Sequence, residues 1–232
     1  MKQKEQVRTM FNDIAPKYDF LNHFLSAGID RLWRKKAVRI LKKNSPKTVL
    51  DLATGTADLA IEVHKIRPEK ITGIDIAEEM LAIGRDKIAA RKLDHIITLE
   101  TGDAENLHFP DHSFDAVMVA FGVRNFENLE KGLREMHRVI SPKGMVLVLE
   151  FSKPVKFPVK QLYNFYFKNI LPGLGRLISG NSSAYTYLPD SVGKFPSGEE
   201  FLRILETAGF TDTRHHSLTF GIAAIYTGIK SG

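Results

Sequence analysis

Cysteine is absent from this 232-residue chain, which excludes a disulfide framework, a thiolate nucleophile and thiolate ligation of a metal. Long apolar runs are missing too, since none approaches the roughly 18–20 residues that a membrane-spanning helix needs. The first ten residues, Met1 to Met10, are polar and carry no signal-peptide pattern. The three-glycine fingerprint of dinucleotide binding is lacking: Gly55 stands alone where G-x-G-x-x-G would be expected. No serine sits in a nucleophile-elbow context. The histidines offer no trusted metal-ligand spacing either. Pro110 separates His108 from His112, and His215 and His216 are neighbours that face opposite sides of a strand. No metal is expected.

What is present suits one α/β domain, cytoplasmic by default. Apolar residues make up 43% and charged residues 26%, a globular composition. The net charge of +6 suits an anionic partner. Arg31, Lys35, Arg39 and Lys42 recur at helical spacing, flanked by Arg34 and Lys36, while Trp33, Ala37 and Leu41 mark another face. That stripe reads either as a solvated helix face or as a patch that meets a lipid surface.

Residues 1–44 read as helical, broken at Pro16 and Gly28. From Ser45 short β-branched runs alternate with helical stretches. Strands are predicted at Thr48–Leu52, Lys70–Asp75, Ile96–Glu100, Phe114–Val119 and Met145–Glu150, with helices at Ala57–Ile66, Glu78–Arg91 and Leu129–Ile140. This alternation predicts βαβ units and a mostly parallel sheet with helices on both faces. Residues 153–196, rich in proline and in aromatics from Tyr163 to Phe167, interrupt the rhythm as a helical insertion beside the sheet. A helix over Ser197–Ala208 and strands near Thr211–His216 and Ile222–Ile229 complete a single domain. Its parts are an N-terminal segment (1–44), a core (45–152), the insertion and a C-terminal unit (197–232).

Four strand ends carry polar chemistry. Val49-Leu-Asp-Leu-Ala-Thr-Gly-Thr-Ala-Asp58 takes a buried strand bearing Asp51 through a glycine turn into a helix, which is where nucleotides bind in doubly wound sheets. Gly55 permits close backbone approach, and Thr54 and Thr56 supply hydroxyls. Asp75 ends the next strand, where a carboxylate accepts from both hydroxyls of an unphosphorylated ribose. Asp103 and Ala104 follow the third strand, the first able to accept from an adenine amino group and the second to donate its N–H to a ring nitrogen. After the fourth strand, Val119-Ala-Phe-Gly-Val-Arg-Asn125 brings Arg124 and Asn125 to the place where a substrate would meet the cofactor. One adenosyl-sulfonium ligand, S-adenosylmethionine, satisfies all four.

Together these stretches resemble the C-methyltransferases of menaquinone and ubiquinone biosynthesis. The resemblance spans nearly the whole chain through Tyr18-Asp-Phe-Leu-Asn22, Leu32-Trp-Arg34, Leu50-Asp-Leu-Ala-Thr-Gly-Thr56, Gly102-Asp-Ala-Glu105, Phe121-Gly-Val-Arg-Asn125, Leu149-Glu-Phe-Ser152, Tyr187-Leu-Pro-Asp-Ser191, Phe195-Pro196 and Ala208-Gly-Phe210. It implies a seven-stranded, Rossmann-like class I methyltransferase fold and methylation of a ring carbon of a polyprenylated quinol, demethylmenaquinol first and a benzoquinol second. By position it makes Thr56, Asp75, Asp103 and Ala104 cofactor residues; with Asp51, Gly55 and Ala120 they form the candidate set. Ala57 and Ala120 depart from the glycine and serine that many members carry. The first departure tightens the turn and the second removes a hydroxyl.

In the expected chemistry Arg124 holds the quinol oxyanion, Asn125 orients it, and Tyr18, His23 and Asp103 stand as candidate bases. The prenyl tail calls for an apolar mouth at a bilayer, for which Phe157–Phe167 and Leu171–Ile178 are the candidates. Peripheral contact with membrane lipid is expected and nucleic acid is not. The competing readings are an RNA methyltransferase, which the basic pI would suit, and a cofactor- or lipid-binding module without turnover. The oligomeric state is left open, a homodimer included.

Overall fold

Apolar side chains alternate along each central strand, and that alternation builds two cores, one on each face of a single sheet. The structure is a computed structural model and describes residues 2–26, 28–166, 169 and 183–232. Its seven strands are β1 (Thr48–Leu52), β2 (Lys70–Asp75), β3 (Ile97–Thr101), β4 (Phe114–Ala120), β5 (Ile140–Phe151), β6 (Phe210–Leu218) and β7 (Ala223–Lys230). They lie in the order β3-β2-β1-β4-β5-β7-β6. The first five are mutually parallel, and β7 runs antiparallel to both neighbours.

Val117 and Val119 of β4 face one core with Leu50, Leu52, Val146 and Val148, covered by α5 (Leu129–Val139) and by α8 (Glu199–Thr207). Ala116 and Met118 face the other with Val49, Ile71, Leu147 and Leu149, covered by α2 (Ile29–Leu41), α3 (Asp58–Val63) and α4 (Glu78–Ala90). Strands buried on both faces are the reason the sequence shows them as nearly unbroken apolar runs. Two short helices of the insertion are described, α6 (Val159–Phe165) and α7 (Ser183–Lys194). Phe167 and Leu171–Ile178 lie outside the described residues.

Two expectations are corrected. Helix α1 runs from Lys2 to Leu25 straight through Pro16, where a break was predicted. The neighbouring Ala15 is buried against Ala77 and Met80 beside α4, with Phe11, Tyr18 and Ile83 packed around them. Tertiary packing thus outweighs the lost backbone donor. The break at Gly28 stands: its φ of 74° ends the helical run before α2. Strand β5 also begins earlier than predicted, because Ile140 already pairs with Phe114 before the register shifts. Among the described residues no helix is long and apolar enough to cross a membrane.

Candidate active site

The switch point of the sheet lies between β1 and β4, where strand order reverses, and there the C-terminal ends of β1, β2 and β4 open a cavity. After β1 the chain turns with positive φ at Ala53, Gly55 and Ala57. A Cβ built on Gly55 would lie 3.3 Å from the Met80 methyl on the cavity wall. Ala57, fully buried, holds a φ of 65° that costs an alanine roughly 1–2 kcal/mol. Across the cavity, a Cβ on Gly122 would come within 2.5 Å of the Ala53 Cβ. The two turns therefore meet closely enough for only glycine to serve at 122.

Asp75, at the end of β2, ties the turn after β1 to the residues that follow β2. Its Oδ2 accepts from the Gly55 N–H at 2.9 Å and its Oδ1 from the Ala77 N–H at 2.9 Å. Burial pushes this carboxyl up, and the backbone donors oppose the shift. Each oxygen keeps a further lone pair, which fits the two hydroxyls of a ribose. Gly55, Asp75, Asp103, Ala104, Ala120 and Asn125 all line this cavity. A wall of close backbone, a fixed carboxylate and apolar side chains fits the adenosyl half of S-adenosylmethionine.

Helix α1 roofs the site with Lys4, Val7, Phe11 and Tyr18. Lys4 Nζ reaches Asp103 Oδ2 at 2.7 Å and Glu105 at 3.5 Å, while Asp103 Oδ1 accepts from the Glu105 N–H at 2.9 Å. The Asp103 carboxylate is thus engaged on both oxygens, and an adenine amino group would share or displace Lys4.

Two candidates lie off the cavity wall. The Thr56 hydroxyl donates to Asp19 of α1 at 2.5 Å and accepts from Lys87 at 3.0 Å, so it ties α1 to the turn. Asp51 is buried beneath the turn and accepts from the Thr54 hydroxyl at 2.7 Å. Desolvation raises its carboxyl to about 7, against the Thr54 bond. Because the folded state keeps a proton that the unfolded chain releases near pH 4, stability falls as pH rises from about 4 to 7, and the penalty is complete above that. Replacing Asp51 by asparagine should flatten this slope. Urea unfolding at pH 8 is expected to show the variant gaining about 2–4 kcal/mol relative to its margin at pH 5, and equal slopes for the two proteins would contradict the assignment.

Arg124 lines a second cavity that shares Phe11, Tyr18 and Phe121 with the first. Its Nη1 donates to Glu150 Oε1 at 2.8 Å and to the Phe121 carbonyl. Its Nε is buried and finds no acceptor among the described residues. Glu150, wholly buried on β5, also accepts from the backbone N–H groups of Phe151 at 2.8 Å and Arg124 at 3.3 Å. Burial pushes the Glu150 carboxyl up, and the Arg124 guanidinium and these donors draw it down. Asn125 Oδ1 accepts from the Tyr187 hydroxyl at 3.0 Å, which leaves the Asn125 amide N–H groups for other partners.

A third cavity, of about 490 Å³ and mostly apolar, shares Asn22, Ser26, Phe151 and Leu188 with the second. Val159, Leu162, Tyr163, Tyr166 and Phe220 form its outer part. Through these shared residues the three cavities adjoin in one run, with Arg124 on the middle one. Sequence reasoning did not assign Lys4, Asp30, Glu150 or Tyr187 to it. Glu150 had a signal, an acid inside an apolar strand, which a buried position permits only when paired. Of the base candidates, burial pushes the Tyr18 phenol up, Asp103 lies on the cofactor cavity alone, and the His23 side chain is outside the described residues.

Comparison with known proteins identifies the family and the fold. The model of the ubiE/COQ5 methyltransferase family matches residues 1–230. A demethylmenaquinone methyltransferase of Porphyromonas gingivalis is 47% identical over 98% of the chain and 94% of its own length. The ubiquinone/menaquinone biosynthesis C-methyltransferase UbiE of Geobacter sulfurreducens is 49% identical over 97% and 89%. Among solved structures, a SAM-dependent methyltransferase from Aquifex aeolicus superposes with a TM-score of 0.63 at 20% identity, covering 86% of this chain and 92% of that one. That likeness speaks for the fold.

Proposed function

Because the chain belongs to the ubiE/COQ5 methyltransferase family, we propose that it methylates a ring carbon of demethylmenaquinol, a polyprenylated naphthoquinol, with S-adenosylmethionine as donor. The observation that carries this reading is Arg124 on the wall of a cavity that joins the cofactor site to an apolar outer one, its buried Nε without an acceptor among the described residues. A buried donor costs free energy until it is paired, and a quinol oxygen placed there pairs it.

The bound donor supplies an electrophilic methyl group on a sulfonium. The chain has to place a nucleophilic carbon in line with it, an effect of orientation that contributes up to roughly 7–11 kcal/mol in ideal cases. Tyr18 and Phe121, shared by the two inner cavities, hold the ring between donor and Arg124. Glu150 and the Phe121 carbonyl fix the guanidinium, which stabilises the oxygen as it becomes negative and so raises electron density at the neighbouring carbon. Tyr187 fixes Asn125, whose amide orients the ring.

A benzoquinol is the second reading, favoured by the relative whose name includes ubiquinone. Separate incubations of demethylated naphthoquinol and benzoquinol with methyl-labelled donor decide. Label in neither product overturns the proposal, and label chiefly in the benzoquinol exchanges the two readings.

The tail enters from a bilayer surface. Around the outer cavity Phe157 and Phe220 are 81% and 80% exposed, with Val155 and Leu162 exposed near them. Burying two such rings in a lipid interface contributes a few kcal/mol. A double replacement, Phe157→Ser with Phe220→Ser, is expected to weaken binding to anionic vesicles by about tenfold or more. Turnover of a short-tailed quinol should stay unchanged. Cosedimentation that is indifferent to both residues would remove the membrane-facing role.

A further inference from the structure

Methylation at carbon needs a group that accepts the proton of the ring hydroxyl, and the ring cavity holds one carboxylate among its described lining residues: Asp30. From the geometry we infer that Asp30 is the general base of the reaction proposed above, on which this inference rests.

Asp30 sits in the first turn of α2 and is 3% exposed. Its Oδ1 accepts from the Ser26 hydroxyl at 2.7 Å and its Oδ2 from Arg34 Nη1. Both donors also line the ring cavity, so the carboxylate is fixed from two sides at the cavity wall. The other acids nearby do not serve. Glu150 is absent from the cavity wall and is spent on Arg124 and two backbone donors. Asp75 and Asp103 face the cofactor cavity. Tyr18 and Tyr187 line the ring cavity, but burial pushes both phenols up, away from service as bases near neutral pH.

Arg34 packs over the Phe121 ring at 5.7 Å and forms part of the wall between the ring cavity and a solvent-open one of about 860 Å³, lined by Asp58 and Lys87. Arg34 Nη2 stands 3.8 Å from Asp58. Asp30 is therefore one side chain away from water that can carry a proton off.

The step balances. The ring O–H bond breaks, its proton goes to an Asp30 oxygen and its electron pair stays on the ring oxygen beside Arg124. The neighbouring carbon then forms its bond to the methyl group as the S–CH3 bond breaks with its electrons on sulfur. Asp30 gives the first proton to water past Arg34, takes the hydrogen of that carbon as a proton while the C–H electrons restore the ring, and returns it to the ring oxygen, so one proton in total is released.

The test compares wild type, Asp30→Asn and Asp30→Ala with demethylated naphthoquinol and labelled donor. Asp30→Asn keeps the shape and is expected to lose about 100-fold or more in kcat, with donor affinity held within about twofold. Sodium formate, a carboxylate small enough for the vacated space, is expected to raise the Asp30→Ala rate about tenfold or more while leaving wild type unchanged. A purely structural residue would not respond to formate. Asparagine activity within about threefold of wild type overturns the role, and so does an Asp30→Ala enzyme that formate fails to rescue. If Asp30→Asn no longer binds the donor, Asp30→Glu takes its place. That variant must retain about a tenth of the activity, and a smaller fraction overturns the role. Wild type that methylates no quinol sinks the underlying reading instead, a separate outcome from the failure of the variants.

Discussion

Asp75→Ala is expected to weaken S-adenosylhomocysteine binding by about 100-fold or more, because two hydrogen bonds to a charged acceptor are lost, each contributing roughly 1.5–3 kcal/mol. The carboxylate does two jobs at once. It faces the cofactor cavity, and it holds the Gly55 and Ala77 N–H groups at 2.9 Å each, so the turn after β1 keeps its shape. Asp75→Asn retains one strong acceptor and should fall between, near tenfold. Calorimetric titration separates these cases. An alanine variant within about fivefold of wild type would mean that the ribose binds elsewhere.

The second large effect concerns Glu150. Glu150→Ala leaves the Arg124 guanidinium buried beside an uncompensated space, and breaking a buried pair from one side typically costs about 3–5 kcal/mol. Glu150 is wholly buried and the Arg124 side chain is only 7% exposed. Urea unfolding should register nearly the full loss. Replacing both residues by apolar ones, Glu150→Leu with Arg124→Met, should recover most of that stability, since a well-packed apolar pair often equals a buried ion pair. Methyl transfer should not recover with it. This divergence separates the structural role of the pair from the catalytic role proposed for Arg124. A double variant that regains turnover together with stability would show that the guanidinium only holds the fold.

The sheet was legible because burial writes itself into sequence. Strands covered on both faces read as apolar runs, and polar residues reappear where each strand surfaces at its C-terminal end. Asp75, Asp103 and Asn125 stand out for that reason, and all three line the cofactor cavity. Thr56 lies in the turn after β1 and Asp51 on β1 just before it, yet their side chains point into docking and packing contacts; spacing along the chain does not say on which side a side chain emerges. The pairing of Arg124 with Glu150 joins residues 26 apart on different elements, which no local pattern contains. Asp30 reads in sequence as an acid favouring a helix start, and only the fold brings it to the ring cavity. Helix α1 looked like a polar segment broken at Pro16. Its role as a roof became visible once Ala15 and Tyr18 were seen packed beside α4.

The atom that receives the methyl group tests the account most directly, because in the proposed reaction Arg124 and in-line placement make carbon the nucleophile. Wild-type protein, demethylated naphthoquinol and carbon-13-labelled donor give a product whose carbon spectrum assigns the label. The expected result is a methyl group bonded to a ring carbon next to a hydroxyl-bearing one. A methyl ether on the ring oxygen, or label that never leaves the donor, would contradict it.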